Sequence, residues 1–121
     1  MQKSIFRTLN VLDNKVEKTF GYRIDPFVEI RPMGYNLAGT ADYLSSTICL
    51  NSNFFHYPYS RIKETVIHEY CHLFVVFQVG LSGIKRSKYY SHHGKEWKAA
   101  MRFFGQKPTR CHNLKAPLWV A

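Results

Sequence analysis

The chain has 121 residues, of which 45% are hydrophobic and 16% are aromatic. This length suits one domain spanning residues 1–121, and the apolar content excludes a disordered chain. The formal net charge is +9, and residues 81–121 hold nine Lys and Arg against one acidic residue, Glu96. Such a basic block predicts contact with a polyanion, most often nucleic acid, although a merely solvated face would have the same composition.

The first half of the sequence predicts one helix followed by three strands. Apolar residues at steps of three and four predict an N-terminal helix that ends at Gly21. Its apolar stripe comprises Ile5, Leu9, Leu12, Val16 and Phe20. Val28 and Ile30 alternate with charged residues and predict a short strand, and residues 37–44 and 46–50 predict two more.

The second half predicts two further helices. A long helix should begin near Ser60, a good N-cap residue, and end at Gly80. Its buried stripe should comprise Ile62, Val66, Tyr70, Leu73 and Phe77. A basic, aromatic loop over residues 81–91 follows, and the last helix should cover residues 94–104. The residues of that helix spaced for packing are Trp97, Ala100, Met101 and Phe104.

The cysteines and the apolar runs indicate the compartment. Cys49, Cys71 and Cys111 include no Cys-x-x-Cys pair, so we expect reduced thiols in a cytoplasmic protein. Separately, we expect the protein to be a monomer. We expect Cys71 to be a small buried hydrophobic residue, because its position on the helix points away from the histidine face. We expect neither a leader peptide nor a membrane span, since the longest apolar run covers only residues 73–77.

The run ETVIHEYCHLFVVF, residues 64–77, places two histidines and a glutamate in an otherwise apolar helix. His68 and His72 are four residues apart and therefore about 40° apart around the helix, so both imidazoles can reach one ion. Glu69, about 100° from His68, can accept a proton from the attacking water. This is the HExxH pattern of zinc proteases. Burying these groups without partners costs free energy, which argues against polar residues that merely flank a core helix.

A catalytic zinc site needs a third protein ligand and one open position. The metzincin continuation is excluded, because Val75 and Gln78 occupy the positions where it needs Gly and His. The remaining candidates are His92, His93, Glu96 and His112. We favour His93 over Glu96 because His93 directly precedes the predicted last helix, whose positive end keeps an imidazole neutral and able to bind metal.

The segments HEYCHLFVVF, HHGKEWKAAMRFFG and PTRCHNL together resemble the SprT-like metalloprotease family, which includes bacterial SprT proteins and eukaryotic Spartan proteases. The Gly39-Thr40-Ala41 stretch also resembles part of the family's sheet. The resemblance covers roughly residues 5–114. Many members append a cysteine-based zinc ribbon, which we do not expect here because the cysteines form no suitable pair.

The resemblance implies Zn²⁺ as cofactor, His68, His72 and His93 as its ligands, and Glu69 as the catalytic base. It also implies an α+β fold of minimal zincin type. That fold has an N-terminal helix, a small and mainly antiparallel three-stranded sheet, the HExxH helix, and a second helix that carries the third ligand. The function implied is a zinc-dependent metallopeptidase acting on protein or peptide substrates.

The basic block and the resemblance to Spartan together predict a substrate attached to DNA, with single-stranded DNA favoured. The residues predicted to contact phosphate are Lys85, Arg86, Lys88, Lys95, Lys98 and Arg102. The substrate is predicted to pair as an extra strand with a sheet edge at residues 46–50. The competing hypothesis is a nucleic-acid-binding domain whose zinc site is structural or vestigial, with Cys111 or His112 completing four ligands.

Overall fold

The structure is a computed structural model that describes residues 1–81 and 94–108. Its elements in chain order are helix α1 (Gln2–Phe20), strands β1 (Phe27–Arg31), β2 (Gly39–Asp42) and β3 (Thr47–Asn51), a short 3-10 helix (Ser52–Phe54), helix α2 (Tyr59–Leu81) and helix α3 (Lys95–Phe103). This α+β arrangement confirms the predicted order of one helix, three strands and two helices.

Helix α1 packs its predicted apolar stripe into the core. Ile5, Leu9, Leu12 and Val16 are all buried. The last predicted member, Phe20, is 44% exposed, although its ring centroid lies 5.7 Å from that of Phe74. The helix ends as predicted, because the next residue is a glycine in the left-handed conformation (φ 84°) whose N–H donates to the carbonyl of Glu17.

The sheet has the strand order β1-β3-β2, so β3 is the central strand. Strand β2 pairs antiparallel with β3, whereas β1 pairs with it in parallel. The expectation of a mainly antiparallel sheet therefore holds for one pair of strands, and the sheet is mixed. Residues 46–50 were expected to form an edge, and this was wrong: the short turn after β2 returns β3 between the other two strands. The edges are β1 and β2.

Helix α2 is the centre of the fold and packs against α1, the sheet and α3. It begins at Tyr59, one residue before the predicted Ser60, because the carbonyl of Pro58 accepts the backbone N–H of Ile62, which is the first α-helical hydrogen bond. It ends at Leu81, one residue beyond the predicted Gly80. Four of the five predicted stripe residues are buried, and Phe77 is half-buried.

Helix α3 lies against α2 through Trp97, Ala100 and Met101, which are buried as predicted. The chain changes direction after α3 at Gly105, which has a φ of 75°. Within residues 1–81 and 94–108, no helix combines the length and the hydropathy that crossing a bilayer requires.

Candidate metal centre

One face of α2 gathers the predicted metal-site residues. The ligand atoms of His68, Glu69 and His72 all lie within 4.8 Å of one another. The two imidazole centroids are 5.0 Å apart, with the rings inclined at 66°. Helical spacing accounts for this, because residues three and four apart are neighbours on the helix surface. Local sequence thus suffices to bring these three side chains together.

Glu69 is buried, with only 5% of its surface exposed. Its Oε1 lies 4.0 Å from His68 Nε2, and its Oε2 is buried without a hydrogen-bond partner among the described residues. Burial raises the pKa of this carboxyl group to about 8. A buried polar atom without a partner is costly and rare, and it marks a place where a ligand or a water can bind.

Gly39, the first residue of β2, explains how Glu69 becomes buried. A Cβ atom at Gly39 would lie 3.4 Å from Glu69 Cγ, 3.0 Å from Thr65 Cγ2 and 2.8 Å from the carbonyl oxygen of Cys49. The absence of a side chain at Gly39 therefore lets the edge strand lie directly against the functional face of α2. From the sequence, Gly39 was predicted only to lie in the family's sheet. Its contact with Thr65, four residues before Glu69, was not predicted.

Asn51 fixes the loop that leads into β2. Its side chain is fully buried, and its Oδ1 accepts the backbone N–H groups of Met33 and Asn53. Its Nδ2 donates to the carbonyls of Gly34 and Leu37. One side chain thus makes four hydrogen bonds, and these hold the loop before β2 against the end of β3.

Trp97 of α3 closes the other side of the site. Its side chain is fully buried, and its indole N–H donates to the carbonyl of His68 at 3.4 Å. Its ring centroid lies 4.8 Å from that of His68 and 5.7 Å from that of His72. From the sequence, Trp97 was predicted only to pack in the core. Trp97 lies four residues, about one helical turn, after the predicted ligand His93, and this spacing could have indicated that it lies near the site.

The described residues fit a zinc ion. Two imidazole nitrogens at the usual bond length of about 2.0 Å from zinc would lie roughly 3.3 Å apart in a tetrahedral site. The ligand atoms of the two histidines lie within 4.8 Å of each other, which exceeds that value by no more than about 1.5 Å. Imidazole is a ligand that zinc favours, and the Glu69 carboxyl group has an oxygen within 4.8 Å of the ligand nitrogens of both rings.

The other predicted site residues divide into two groups. Glu96 lies on α3 with an exposed side chain and is not part of the histidine–glutamate cluster. Lys95, Lys98 and Arg102 are also exposed on α3. The remaining predicted residues lie outside the described part of the chain, namely His92, His93, Cys111, His112, Lys85, Arg86 and Lys88.

Cys71 is buried and free, which confirms its prediction as a small buried hydrophobic residue. Burial raises the pKa of its thiol, and the nearby Glu69 carboxylate adds to this effect. The thiol therefore stays protonated at neutral pH and is a poor metal ligand.

Comparison with known proteins finds one similarity in sequence and one in fold. The sequence profile of the SprT-like family matches residues 8–115. Among solved structures, the fold resembles the crystal structure of the metallopeptidase zymogen of Pyrococcus abyssi abylysin, with a TM-score of 0.58 and 17% sequence identity. That match covers 82% of this chain and 77% of the other. A search of curated proteins found no match.

Proposed function

Because the chain belongs to the SprT-like family, we propose that it is a zinc-dependent metallopeptidase that hydrolyses peptide bonds. One observation carries the proposal. Glu69 is buried without a hydrogen-bond partner for Oε2 among the described residues, next to two imidazoles whose ligand atoms lie within 4.8 Å of its own. A purely structural site has no use for a buried base in that position.

His68 and His72 would hold the zinc, with His93 as the third ligand. Two facts support His93. Residue 93 directly precedes Gly94, the N-cap of α3, and α3 packs against the histidine face of α2 through Trp97. When bound, zinc supplies a Lewis acid that lowers the pKa of a coordinated water and polarises the substrate carbonyl.

Glu69 would act as the proton carrier. Its pKa of about 8 describes the protein without metal, and a bound cation favours the ionised form. The carboxylate takes the proton of the attacking water and returns it to the leaving amine. The ionised form that the cation favours is the one that can accept the proton in the first step.

The substrate would pair with the edge of β2 on which no other described strand lies. The N–H of Asn51 donates to the carbonyl of Ala38, and polar groups in an antiparallel ladder alternate in direction. The N–H and C=O groups of Gly39 and Ala41 consequently face the edge that β3 does not occupy. A substrate strand on that edge would run next to Glu69, since Gly39 lies against its side chain.

The decisive test replaces Glu69 with Gln and measures cleavage of a histone substrate and autocleavage. We expect the rate to fall by about 10²–10⁴-fold, with zinc content and secondary structure unchanged. Glu64→Gln is the matched control, because Glu64 is exposed on the same helix. Normal cleavage by Glu69→Gln would contradict the mechanism, and a zinc-free parent protein would contradict the metal site.

We also propose that the peptidase acts on proteins attached to DNA. Lys95, Lys98 and Arg102 support this, because they are exposed at helical spacing on the side of α3 opposite its buried residues. Replacing all three with Gln should reduce the salt dependence of single-stranded DNA binding by a log–log slope of about 2.

The matched control for this test carries Gln at three exposed basic residues of α1, namely Lys3, Arg7 and Lys18. An equal reduction in both triple variants would show that only net charge matters. Histone cleavage that ignores added single-stranded DNA would remove the DNA-linked substrate and leave the peptidase proposal intact.

A further inference from the structure

We propose that Trp97 is a positioning residue that holds the imidazoles of His68 and His72 in the orientation that binds zinc. The inference rests on the proposed zinc site and deepens it, since it names the group that prepares the two rings. Trp97 does not belong to the HExxH motif and lies on a different helix from the two histidines.

The contacts of Trp97 are unusual in reaching both rings at once. The indole is inclined at 59° to the His68 ring and at 21° to the His72 ring, so it packs obliquely on the first and nearly parallel on the second. The indole N–H also donates to the backbone carbonyl of His68. Since the side chain is completely buried, the indole itself has little freedom to move.

The α2 backbone sets the position of each imidazole ring but not its rotation. The outer torsion of a histidine side chain is broad, with no sharply preferred value, so helical spacing places the ring but leaves its rotation open. An ion needs both nitrogen lone pairs pointing at one place. A rigid aromatic surface against both rings reduces the freedom that metal binding would otherwise remove.

The test measures zinc affinity, by competition with a zinc-binding dye, in the full chain carrying Trp97→Leu or Trp97→Phe. Removing a group that orients metal ligands weakens metal binding by about 10–100-fold, and we expect a loss of that size for Trp97→Leu. Trp97→Phe keeps an aromatic ring and should retain most of the affinity. The visible absorption of bound cobalt(II) reports ligand geometry, and it should change in Trp97→Leu only.

Met101→Ala is the matched control for lost packing. Met101 is buried on the same helix, one turn after Trp97, and its loss destabilises α3 without removing the aromatic surface. Unchanged zinc affinity in Trp97→Leu, or an equal loss in Met101→Ala, would overturn the inference. A parent protein that binds no zinc would instead refute the proposed function.

A second measurement covers the case in which Trp97→Leu does not fold. The chain has two tryptophans, so Trp119→Phe leaves Trp97 as the only source of indole emission. Adding zinc should change that emission in proportion to the zinc bound, and His68→Ala should abolish the change. Emission that does not respond to bound zinc would overturn the inference, because the indole would then not be in contact with the ligand rings.

Discussion

Two carboxyl side chains are buried in the part of the chain that the structure describes, Asp13 on α1 and Glu69 on α2, and they differ in their partners. Asp13 is 2% exposed, and its oxygens accept the backbone N–H groups of Ile24 and Asp25 and the hydroxyl of Tyr70. Arg23 lies 4.0 Å away as a partly exposed counter-charge. Glu69 is 5% exposed, and its Oε2 has no hydrogen-bond partner within residues 1–81 and 94–108.

This difference separates a structural carboxylate from the carboxyl group that we propose as the catalytic base. A buried carboxylate whose two oxygens both accept hydrogen bonds ties elements together, as Asp13 does for α1, α2 and the segment before β1. A buried carboxyl with an unused oxygen makes the fold less stable and is retained where a ligand or a reaction requires it. Burial alone does not distinguish the two cases, whereas a count of partners does.

The largest effect on stability should come from Asp13→Ala. The change leaves the N–H groups of Ile24 and Asp25 and the hydroxyl of Tyr70 without their acceptor, and each such group costs about 1–3 kcal/mol. We expect a loss of about 3 kcal/mol or more in urea unfolding, with Glu17→Ala on the exposed side of α1 nearly neutral. A small loss would mean that Asp13 is no more structural than Glu69.

The unfolding free energy of the metal-free protein should depend on pH because the pKa of Glu69 is raised. Its folded pKa of about 8 exceeds the unfolded value of about 4.3, so the fold favours the protonated form. That contribution is complete below about pH 4 and is lost as the pH rises through 8. Between about pH 5 and 9, the unfolding free energy of the parent protein should fall by a few kcal/mol more than that of Glu69→Gln.

This experiment is carried out in EDTA, with urea unfolding at each pH. Parallel curves for the parent and Glu69→Gln would contradict the raised pKa of Glu69 and with it the contrast between the two carboxyl groups.

Tyr70→Phe should have an intermediate effect, because it removes one donor from Asp13 and leaves the backbone donors in place. A hydrogen bond to a charged group contributes about 1.5–3 kcal/mol, and we expect a thermal or urea measurement to show a loss in that range. Tyr22→Phe is the control, since the Tyr22 hydroxyl donates to the neutral amide of Gln78 in a half-buried position. Equal losses would show that the charge of Asp13 is unimportant.

Gly39→Ala should have the smallest effect on stability, about 1–3 kcal/mol from overpacking. It should also reduce cleavage, because the new methyl group would lie 2.8 Å from the carbonyl oxygen of Cys49 on β3 and 3.0 Å from Thr65 Cγ2, so the backbone of β2 has to shift beside Glu69. Gly80→Ala is the control: Gly80 lies in α2 with no atom within 4 Å of an added Cβ, so alanine should stabilise the helix by up to about 1 kcal/mol. Full activity in Gly39→Ala would contradict the close contact between β2 and the base.

Features encoded by neighbouring residues could be predicted from the sequence. The apolar stripes of α1 and α2, the glycine that ends α1, and the approach of His68 to His72 all follow from helical periodicity and local capping. These depend on contacts within one or two turns. The boundaries of α2 were correct to within one residue.

Features that join distant segments could not be predicted. The parallel pairing of β1 with β3 and the edge position of β2 depend on which strand returns between the others, and no short pattern in the sequence encodes that choice. The partners of Asp13 come from residues 11, 12 and 57 positions further along the chain. The sequence predicts Trp97 only as a core residue, because its contact with the two histidine rings arises from the packing of α3 on α2.

The sequence by itself determined which side chains can hold a metal, because a spacing of four residues on a helix brings two imidazoles to one face. Tertiary structure decided how deeply Glu69 is buried and how the two imidazole rings are oriented. Gly39 buries Glu69 and Trp97 supports the two rings, and each comes from an element that reaches the site only through folding. The physical reason is that ligand spacing is a property of one helix, whereas burial and ring orientation require surfaces supplied by distant parts of the chain.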